Sequence, residues 1–178
     1  LAAGLGQRYK ISVFNVELPR CKKIPTRQAA TLILVFLSKC SGMAEGLVII
    51  PTYNEIENIE AITRAVFALP RAYDVLIVDD NSPDGTADRV REMQNEFPLN
   101  LHLEVRKGKT GLGTAYIHGF KWALEHSYDY IFEMDADFSH RPSDLTRLHR
   151  ACLDGADVAI GSRYKKGVNV VNWPLKRV

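Results

Sequence analysis

The chain has 178 residues, of which 46% are hydrophobic and 25% are charged. This balance is typical of one globular domain of ordinary size, and it excludes a disordered or collagen-like chain. The formal net charge of +2 hides an asymmetry, because residues 1–42 carry seven lysines and arginines against one acid. Residues 43–178 carry sixteen lysines and arginines against twenty acids, so the charge pattern predicts two segments of different character.

Two further features of the composition narrow the class of protein. No apolar run approaches the ~20 residues that a membrane-spanning helix needs. The three cysteines, Cys21, Cys40 and Cys152, are odd in number and far apart. Their spacing predicts neither a disulfide framework nor a cysteine metal site, and it favours a reducing compartment.

The first 42 residues combine a basic stretch with the apolar run Ala29–Leu37. Basic then apolar is the order of a secretory signal, although Lys39 stands where small residues should precede cleavage. A membrane-surface or partner-docking segment is a second interpretation, since such a segment attracts anionic lipid. We favour a third, in which Met43 is the natural start. We therefore expect residues 1–42 to be a basic extension outside the fold and residues 43–178 to form the domain.

From Leu47 onward, short segments rich in apolar residues alternate with amphipathic stretches. The segments are Leu47–Ile50, Val75–Val78, Leu101–Val105, Tyr130–Met134 and Val158–Ile160. Segments of this length are typical of strands that are buried on both faces.

Between the predicted strands, apolar residues recur every three or four positions, which predicts four helices. These stretches cover residues 56–69, 86–97, 112–126 and 145–152. Asn54, with Glu57 three residues later, resembles a capping box that opens the first helix. Five strands alternating with four helices predict a doubly wound, mostly parallel α/β sheet.

Polar clusters directly follow three of the predicted strands, at residues 51–55, 79–85 and 135–140. In doubly wound sheets, ligands bind beyond the carboxyl ends of the strands, where the strand order reverses. We therefore expect the three clusters to converge on one edge of the sheet and to form a single site.

The cluster after the fourth strand contains Asp135 and Asp137, which can both reach one divalent cation. Few, hard oxygen ligands suit Mg²⁺ or Mn²⁺. Glu55, Asp79 and Asp80 add negative charge that would repel a diphosphate unless a metal inverted the local field. Helix capping is the alternative for an isolated Asp-x-Asp, but the neighbouring clusters favour a metal site here.

The other clusters suggest nucleotide-binding roles. Asp80 is placed to accept hydrogen bonds from ribose hydroxyls or base N–H groups, with Asp79 as support. Arg163, after the fifth strand, is placed for a bidentate contact with phosphate. His140 is assigned to the start of the fourth helix.

The glycine-rich stretch at residues 107–113 fits neither common phosphate-binding motif. Leu103 stands where a Walker A loop needs glycine, and Tyr116 stands where a dinucleotide fingerprint needs one. What remains is a basic loop that either closes over phosphate or simply turns the chain into a helix.

Five segments, taken together and in this order, resemble one family. They are Pro51–Glu55, Asp79–Thr86, Gly111–Tyr116, Met134–His140 and Gly161–Tyr164. Over residues 47–177 the chain resembles the dolichol-phosphate (polyprenyl-phosphate) mannosyltransferases, which are inverting family-2 glycosyltransferases of the Rossmann-like GT-A fold. The resemblance implies transfer of mannose from GDP-mannose to a dolichyl or polyprenyl phosphate at the cytoplasmic face of a membrane. UDP-glucose is the alternative donor within the same fold.

Carried over by position, the resemblance implies a donor-binding set and a metal site. The donor set is Pro51, Tyr53, Glu55, Val78, Asp80, Asp135, Ala136, Asp137 and Arg163. Asp135 and Asp137 would hold Mg²⁺ or Mn²⁺, and Asp137 and Arg163 would take catalytic roles. Ser139 replaces an amide ligand of some relatives, so no third protein ligand is expected.

Two alternatives to a complete transferase stay open at this point. Family members continue beyond the position of Val178, which implies that the domain is incomplete at its C-terminus. The first alternative is therefore a catalytically incomplete fragment that binds a nucleotide sugar. The second alternative is a phosphoryl-transfer enzyme with Asp135 as nucleophile, although such enzymes carry the Asp-x-Asp motif after the first strand.

Overall fold

The computed structural model describes residues 44–161 and the backbone of residues 12–15. The strands are β1 (Ser12–Asn15), β2 (Gly46–Thr52), β3 (Asp74–Asp79), β4 (Leu101–Val105), β5 (Tyr130–Glu133) and β6 (Val158–Ile160). The helices are α1 (Ile59–Phe67), α2 (Thr86–Gln94), α3 (Leu112–Glu125) and α4 (Asp144–Leu153). All five predicted strands and all four predicted helices are present.

The strands form one sheet in the order β4-β3-β2-β5-β1-β6. The four strands from β4 to β5 are parallel to one another. Thr52 pairs with Asp79, and Asp79 pairs with Val105, so the carboxyl ends of β2, β3 and β4 lie level at one edge. The chain runs outward from β2 to β4 and then returns to β5, which creates the switch point at which such sheets bind ligands.

β1 is a difference from the expectation that residues 1–42 lie outside the fold. It lies between β5 and β6 and is antiparallel to both, with Val13 opposite Phe132 on one side and Ala159 on the other. The sequence did not reveal this strand, because Ser12–Asn15 contains only two apolar residues and precedes the strand–helix alternation that begins at Leu47. Backbone pairing with two neighbours determines its position. The boundary between an extension and a domain at residue 43 stays a prediction.

Helices cover both faces of the sheet. α1, α2 and α4 pack against one face through an apolar cluster that includes Val48, Ile50 and Phe132. α3 packs against the other face, over Leu47 and Ile49. Neighbouring strand residues thus point into opposite layers, which confirms the doubly wound prediction. Within the part of the chain that the structure describes, no helix is both long and apolar enough to cross a bilayer.

Gly119 sets the distance between α3 and the sheet. A Cβ built at this position would lie 2.6 Å from Cγ2 of Ile49, so only glycine permits the observed approach. This contact holds the middle of α3 against the middle of β2.

The predicted capping box is wrong. α1 begins at Ile59, and the backbone oxygen of Glu55 accepts hydrogen bonds from the N–H groups of Asn58 and Ile59. Asn54 has a φ of 60° and donates its own N–H to the hydroxyl of Ser82, 3.0 Å away. Contact with the loop after β3 therefore overrides the local helix signal.

Candidate functional site

A cavity of about 450 Å³ lies at the carboxyl edge of the sheet. Its walls come from the loops after β2, β3, β4 and β5 and from the first turn of α3. They are formed by Pro51, Thr52, Tyr53, Glu55, Asp80, Lys109, Leu112, Ala115, Asp135, Ala136 and Asp137. The volume is within the range of small-molecule sites, and the predicted convergence of the three polar clusters is confirmed.

The structure brings seven residues of the predicted donor set together at this cavity. They are Pro51, Tyr53, Glu55, Asp80, Asp135, Ala136 and Asp137. It does not bring Val78 there, because that residue is fully buried in the apolar cluster beneath α3. Arg163 lies outside the described residues, so its predicted phosphate contact and catalytic role stay predictions.

Asp79 organises the turn after β3 rather than lining the cavity. It is fully buried. Its carboxylate accepts hydrogen bonds from the Thr52 hydroxyl at 2.8 Å and from the Ser82 hydroxyl and N–H at 2.6 and 2.8 Å. The N–H of Glu55 donates to the Thr86 hydroxyl at 3.0 Å, so the loops after β2 and β3 are joined side by side. The turn presents Asp80 at the cavity.

Asp80 forms a two-point ion pair with Arg106, which directly follows β4. Arg106 Nε lies 2.5 Å from Oδ1 of Asp80, and Nη2 lies 2.7 Å from Oδ2. Both side chains are largely buried, at 12% and 7% exposed. The sequence analysis did not identify Arg106. Its position immediately after a parallel strand was the available signal, since the same rule located the three acidic clusters.

Asp135 is held from two elements. The hydroxyl of Tyr116 on α3 donates to Oδ1 of Asp135 at 3.0 Å. Burial, reinforced by the Asp135 carboxylate, raises the pKa of Tyr116 far above its ordinary value, so the phenol remains a donor at physiological pH. The Asp135 N–H donates to Nδ1 of His140 at 3.0 Å.

The prediction for His140 needs correction. α4 begins at Asp144, so His140 precedes it, buried within the acidic loop after β5. Its Nε2 lies 3.9 Å from Oδ2 of Asp135. Because Nδ1 accepts a backbone N–H, the ring supports the position of Asp135 instead of opening the helix.

Asp137 is the exposed member of the Asp-x-Asp pair. Its Oδ1 accepts the Ser139 N–H at 2.9 Å, and the intervening Phe138 has a φ of 57°. This tight turn keeps the Asp137 carboxylate on the same wall as Asp135. The motif follows the fourth parallel strand of the chain, so it lacks the placement of a phospho-aspartate enzyme.

The charge of the cavity favours a bound cation. Its lining contains four acids, Glu55, Asp80, Asp135 and Asp137, and one base, Lys109. Because Arg106 already compensates Asp80, three acids remain against that one base. Among the described residues, no three histidine, cysteine or acidic side chains are grouped to hold a metal. Two carboxylates plus water and substrate oxygens form a common Mg²⁺ site, and thus Asp135 and Asp137 fit that chemistry. An anionic ligand would meet strong repulsion here without such a cation.

Lys109 is a second residue that the sequence analysis did not single out. Its Nζ lies 4.3 Å from the ring centroid of Tyr53 across the cavity. This cation–π contact brings the basic loop at residues 107–111 over the loop after β2. The loop therefore places a cation at the cavity, and closure over phosphate stays a prediction.

Sequence comparisons with known proteins all indicate one glycosyltransferase family. The sequence model of the family "Glycosyl transferase family 2" matches residues 47–178. The chain is 50% identical over 133 residues to the polyprenol monophosphomannose synthase of Mycolicibacterium smegmatis, a match that covers 74% of this chain and 50% of that relative. It is 44% identical over 133 residues to the dolichol-phosphate mannosyltransferase of Pyrococcus furiosus, which covers 73% of this chain and 36% of the relative.

A solved structure shows the same fold at lower sequence similarity. The crystal structure of S. aureus TarS in complex with UDP-GlcNAc aligns with a TM-score of 0.51 and 24% identity. The alignment covers 61% of this chain and 31% of that chain, which is residues 1–349 of TarS. At that level of identity, the comparison concerns the fold alone.

Proposed function

We propose that this chain, which belongs to glycosyl transferase family 2, binds GDP-mannose with Mg²⁺ or Mn²⁺ and transfers its mannose to a polyprenyl or dolichyl phosphate. The chain spans half the length of the mycobacterial relative and 36% of the archaeal one, so the activity of the whole protein is part of the proposal. The main support for this proposal is the cavity at the sheet's switch point, where four carboxylates surround a space of about 450 Å³.

The nucleoside end of the donor is proposed to lie against the loops after β2 and β3. Asp80, 6% exposed, offers carboxylate oxygens to ribose hydroxyls or base N–H groups. Tyr53 is 37% exposed and presents an aromatic ring at the same wall. Pro51 and Glu55 complete that wall.

The diphosphate end is proposed to lie between Lys109 and the Asp135–Asp137 wall. Asp135 and Asp137 would hold the divalent cation, and when bound it would stabilise negative charge on the departing nucleoside diphosphate. Lys109 adds a positive charge from the opposite loop. Arg163 is proposed as a further phosphate contact, and Ala136 as a neighbour of the metal site.

The chemical step requires no general base from the protein. A phosphate monoester has a second pKa of about 6, so the acceptor is largely a dianion at neutral pH. Its oxygen attacks the anomeric carbon while the bond to the nucleoside diphosphate breaks, and in-line attack inverts the configuration. The residues of the cavity therefore act by positioning and by electrostatic stabilisation.

The acceptor determines where the reaction takes place. A polyprenyl chain stays in the bilayer while its phosphate lies at the surface, so the proposed enzyme works peripherally at the cytoplasmic face of a membrane. The buried, free thiol of Cys152 is compatible with that reducing compartment.

The proposal is tested by the melting temperature of the chain with a panel of GDP-mannose, UDP-glucose and UDP-N-acetylglucosamine, each with and without Mn²⁺. Saturating GDP-mannose with Mn²⁺ should stabilise the chain by about 3 kcal/mol at a hundred times Kd, which raises Tm by roughly 5–10 °C. Asp137→Ala should abolish the shift. Asp129→Ala, an exposed acid before the other end of β5, should leave it intact.

The remaining outcomes separate the alternatives. A larger shift with UDP-glucose would reassign the donor within the same family. A normal GDP-mannose shift without transfer to polyprenyl phosphate would indicate a catalytically incomplete donor-binding fragment. No metal-dependent shift with any nucleotide sugar would contradict the proposal.

A further inference from the structure

Arg106 connects two walls of the cavity without lining it itself. Its Nε and Nη2 hold the two carboxylate oxygens of Asp80, at 2.5 and 2.7 Å. A planar guanidinium that contacts both oxygens fixes the plane of the carboxylate as well as its distance. Because the two side chains are only 12% and 7% exposed, water has little access to loosen the pair.

The rest of the guanidinium holds the first turn of α3. Nη1 donates to the Thr114 hydroxyl at 2.8 Å, and Nη2 lies 3.5 Å from the backbone oxygen of Gly111. Leu112 and Ala115, from the same turn, line the cavity. All three guanidinium nitrogens are thus engaged by the protein, and Arg106 acts on a ligand through Asp80 and α3.

We propose that Arg106 is a positioning residue that makes Asp80 selective for the nucleoside of the donor, an inference that rests on the proposed function. A carboxylate has about four acceptor sites, and the arginine occupies one on each oxygen. The two that remain serve O–H or N–H donors of a ribose or a base at the cavity wall. Since arginine is always charged, the pair carries little net charge, and Asp80 does not compete with Asp135 and Asp137 for the cation.

The chain contains a matched control for this pair. Arg64 holds Glu96 through two bonds of 2.6 Å, the same two-point geometry. These side chains are 43% and 51% exposed, and neither lines the cavity. A substitution of Arg64 therefore reports the general effect of losing a two-point arginine pair.

The test compares Arg106→Lys with Arg64→Lys in the 178-residue chain. Lysine keeps the charge but cannot contact both oxygens in one plane and also reach Thr114. In calorimetric titration with Mn²⁺, Arg106→Lys should lower the affinity for GDP by about 10-fold or more. This is the usual scale for residues that orient a binding group. The affinity for inorganic pyrophosphate with Mn²⁺, which has no nucleoside, should change by less than about 2-fold. Arg64→Lys should change neither affinity.

Two further variants distinguish positioning from a structural role. In an Asp80→Asn background, Arg106→Lys should not lower the affinity for GDP further, because the contact between the Asp80 carboxylate and the nucleoside is already lost. Thr114→Val, at an exposed position, should lower the affinity for GDP in the same direction by a smaller factor. If Arg106→Lys fails to fold, the Thr114→Val titration decides the matter.

The outcomes separate this inference from the proposed function. A wild-type chain that binds no GDP with Mn²⁺ contradicts both. Wild-type binding with unchanged GDP affinity in Arg106→Lys, or with unchanged affinity in Thr114→Val when Arg106→Lys fails to fold, overturns the inference alone. An equal loss of affinity for GDP and for pyrophosphate also overturns the inference, because Arg106 would then support the site as a whole.

Discussion

Individual side chains divide the cavity into two electrostatic regions. Asp80 is paired with Arg106, whereas Asp135 receives a neutral phenol from Tyr116. One acid is therefore compensated by a fixed cation of the protein, and under the proposed function the other would be compensated by a cation that binds with the ligand. Lys109 is the remaining positive charge on the described wall of the cavity.

This arrangement predicts the effect of Lys109→Met. Loss of the cation should lower the affinity for GDP-mannose with Mn²⁺ by about 10- to 150-fold, since a charge-assisted contact with phosphate contributes about 1.5–3 kcal/mol. The affinity for guanosine, which lacks phosphate, should stay unchanged in the same calorimetric experiment. Lys121→Met, an exposed position on α3, is the control. Equal losses for guanosine and GDP-mannose would show that Lys109 supports the loop rather than contacting phosphate.

Among the elements, α3 links the two regions. It carries Leu112, Ala115 and Tyr116 at the site, and its distance from β2 is set by Gly119. The start and type of this helix were predictable from its period, but its role was not. Residues brought together by the crossing of a helix over a sheet have no common spacing in the sequence.

The packing predicts opposite effects of two glycine substitutions in α3. Gly119→Ala should destabilise the fold by about 1–3 kcal/mol, because its Cβ would lie 2.6 Å from the Ile49 side chain. Gly113→Ala meets nothing within 4 Å and should be neutral or stabilising by up to about 1 kcal/mol. Urea denaturation measures both.

A second substitution checks the assigned cause. Ile49→Val should recover part of the stability lost in Gly119→Ala, because it removes one of the close atoms. Additive losses in the double variant would show that the close contact is not responsible.

At the scale of the whole molecule, sequence patterns predicted the elements better than the contacts. The buried strands, the helical periods and the acidic clusters after β2, β3 and β5 are local features, and the structure and comparisons confirm the fold and family that they indicated. Strand β1, the start of α1 and the partners of Asp80 and Asp135 depend on residues distant in the chain. No local pattern specifies them.

A buried histidine on α4, His149, makes the free energy of unfolding depend on pH. His149 is 1% exposed among aromatic rings, and burial, with a smaller effect of the Arg71 charge, lowers its pKa to about 4 from an ordinary 6.5. The unfolded chain therefore binds a proton that the folded chain does not between those values. Stability should fall as the pH drops from about 6.5 to 4, by up to about 3 kcal/mol from this group.

His149→Phe should remove that part of the pH dependence, as measured by urea denaturation at pH 7 and pH 4.5. His118→Phe, at a half-exposed histidine beside Glu104, is the control and should retain it. An unchanged slope in His149→Phe would show that the buried ring titrates normally.

The proposed function requires that acids at the carboxyl edge bind a cation, and that this cation binds the diphosphate of a nucleotide sugar. Electron–nuclear double resonance of Mn²⁺ bound to the chain with GDP tests it directly. We expect one bound Mn²⁺ with phosphorus hyperfine coupling. This coupling should be lost in Asp135→Asn and in Asp137→Asn but not in Asp129→Asn. Bound Mn²⁺ without phosphorus coupling, or coupling that survives both substitutions, would contradict the proposed function.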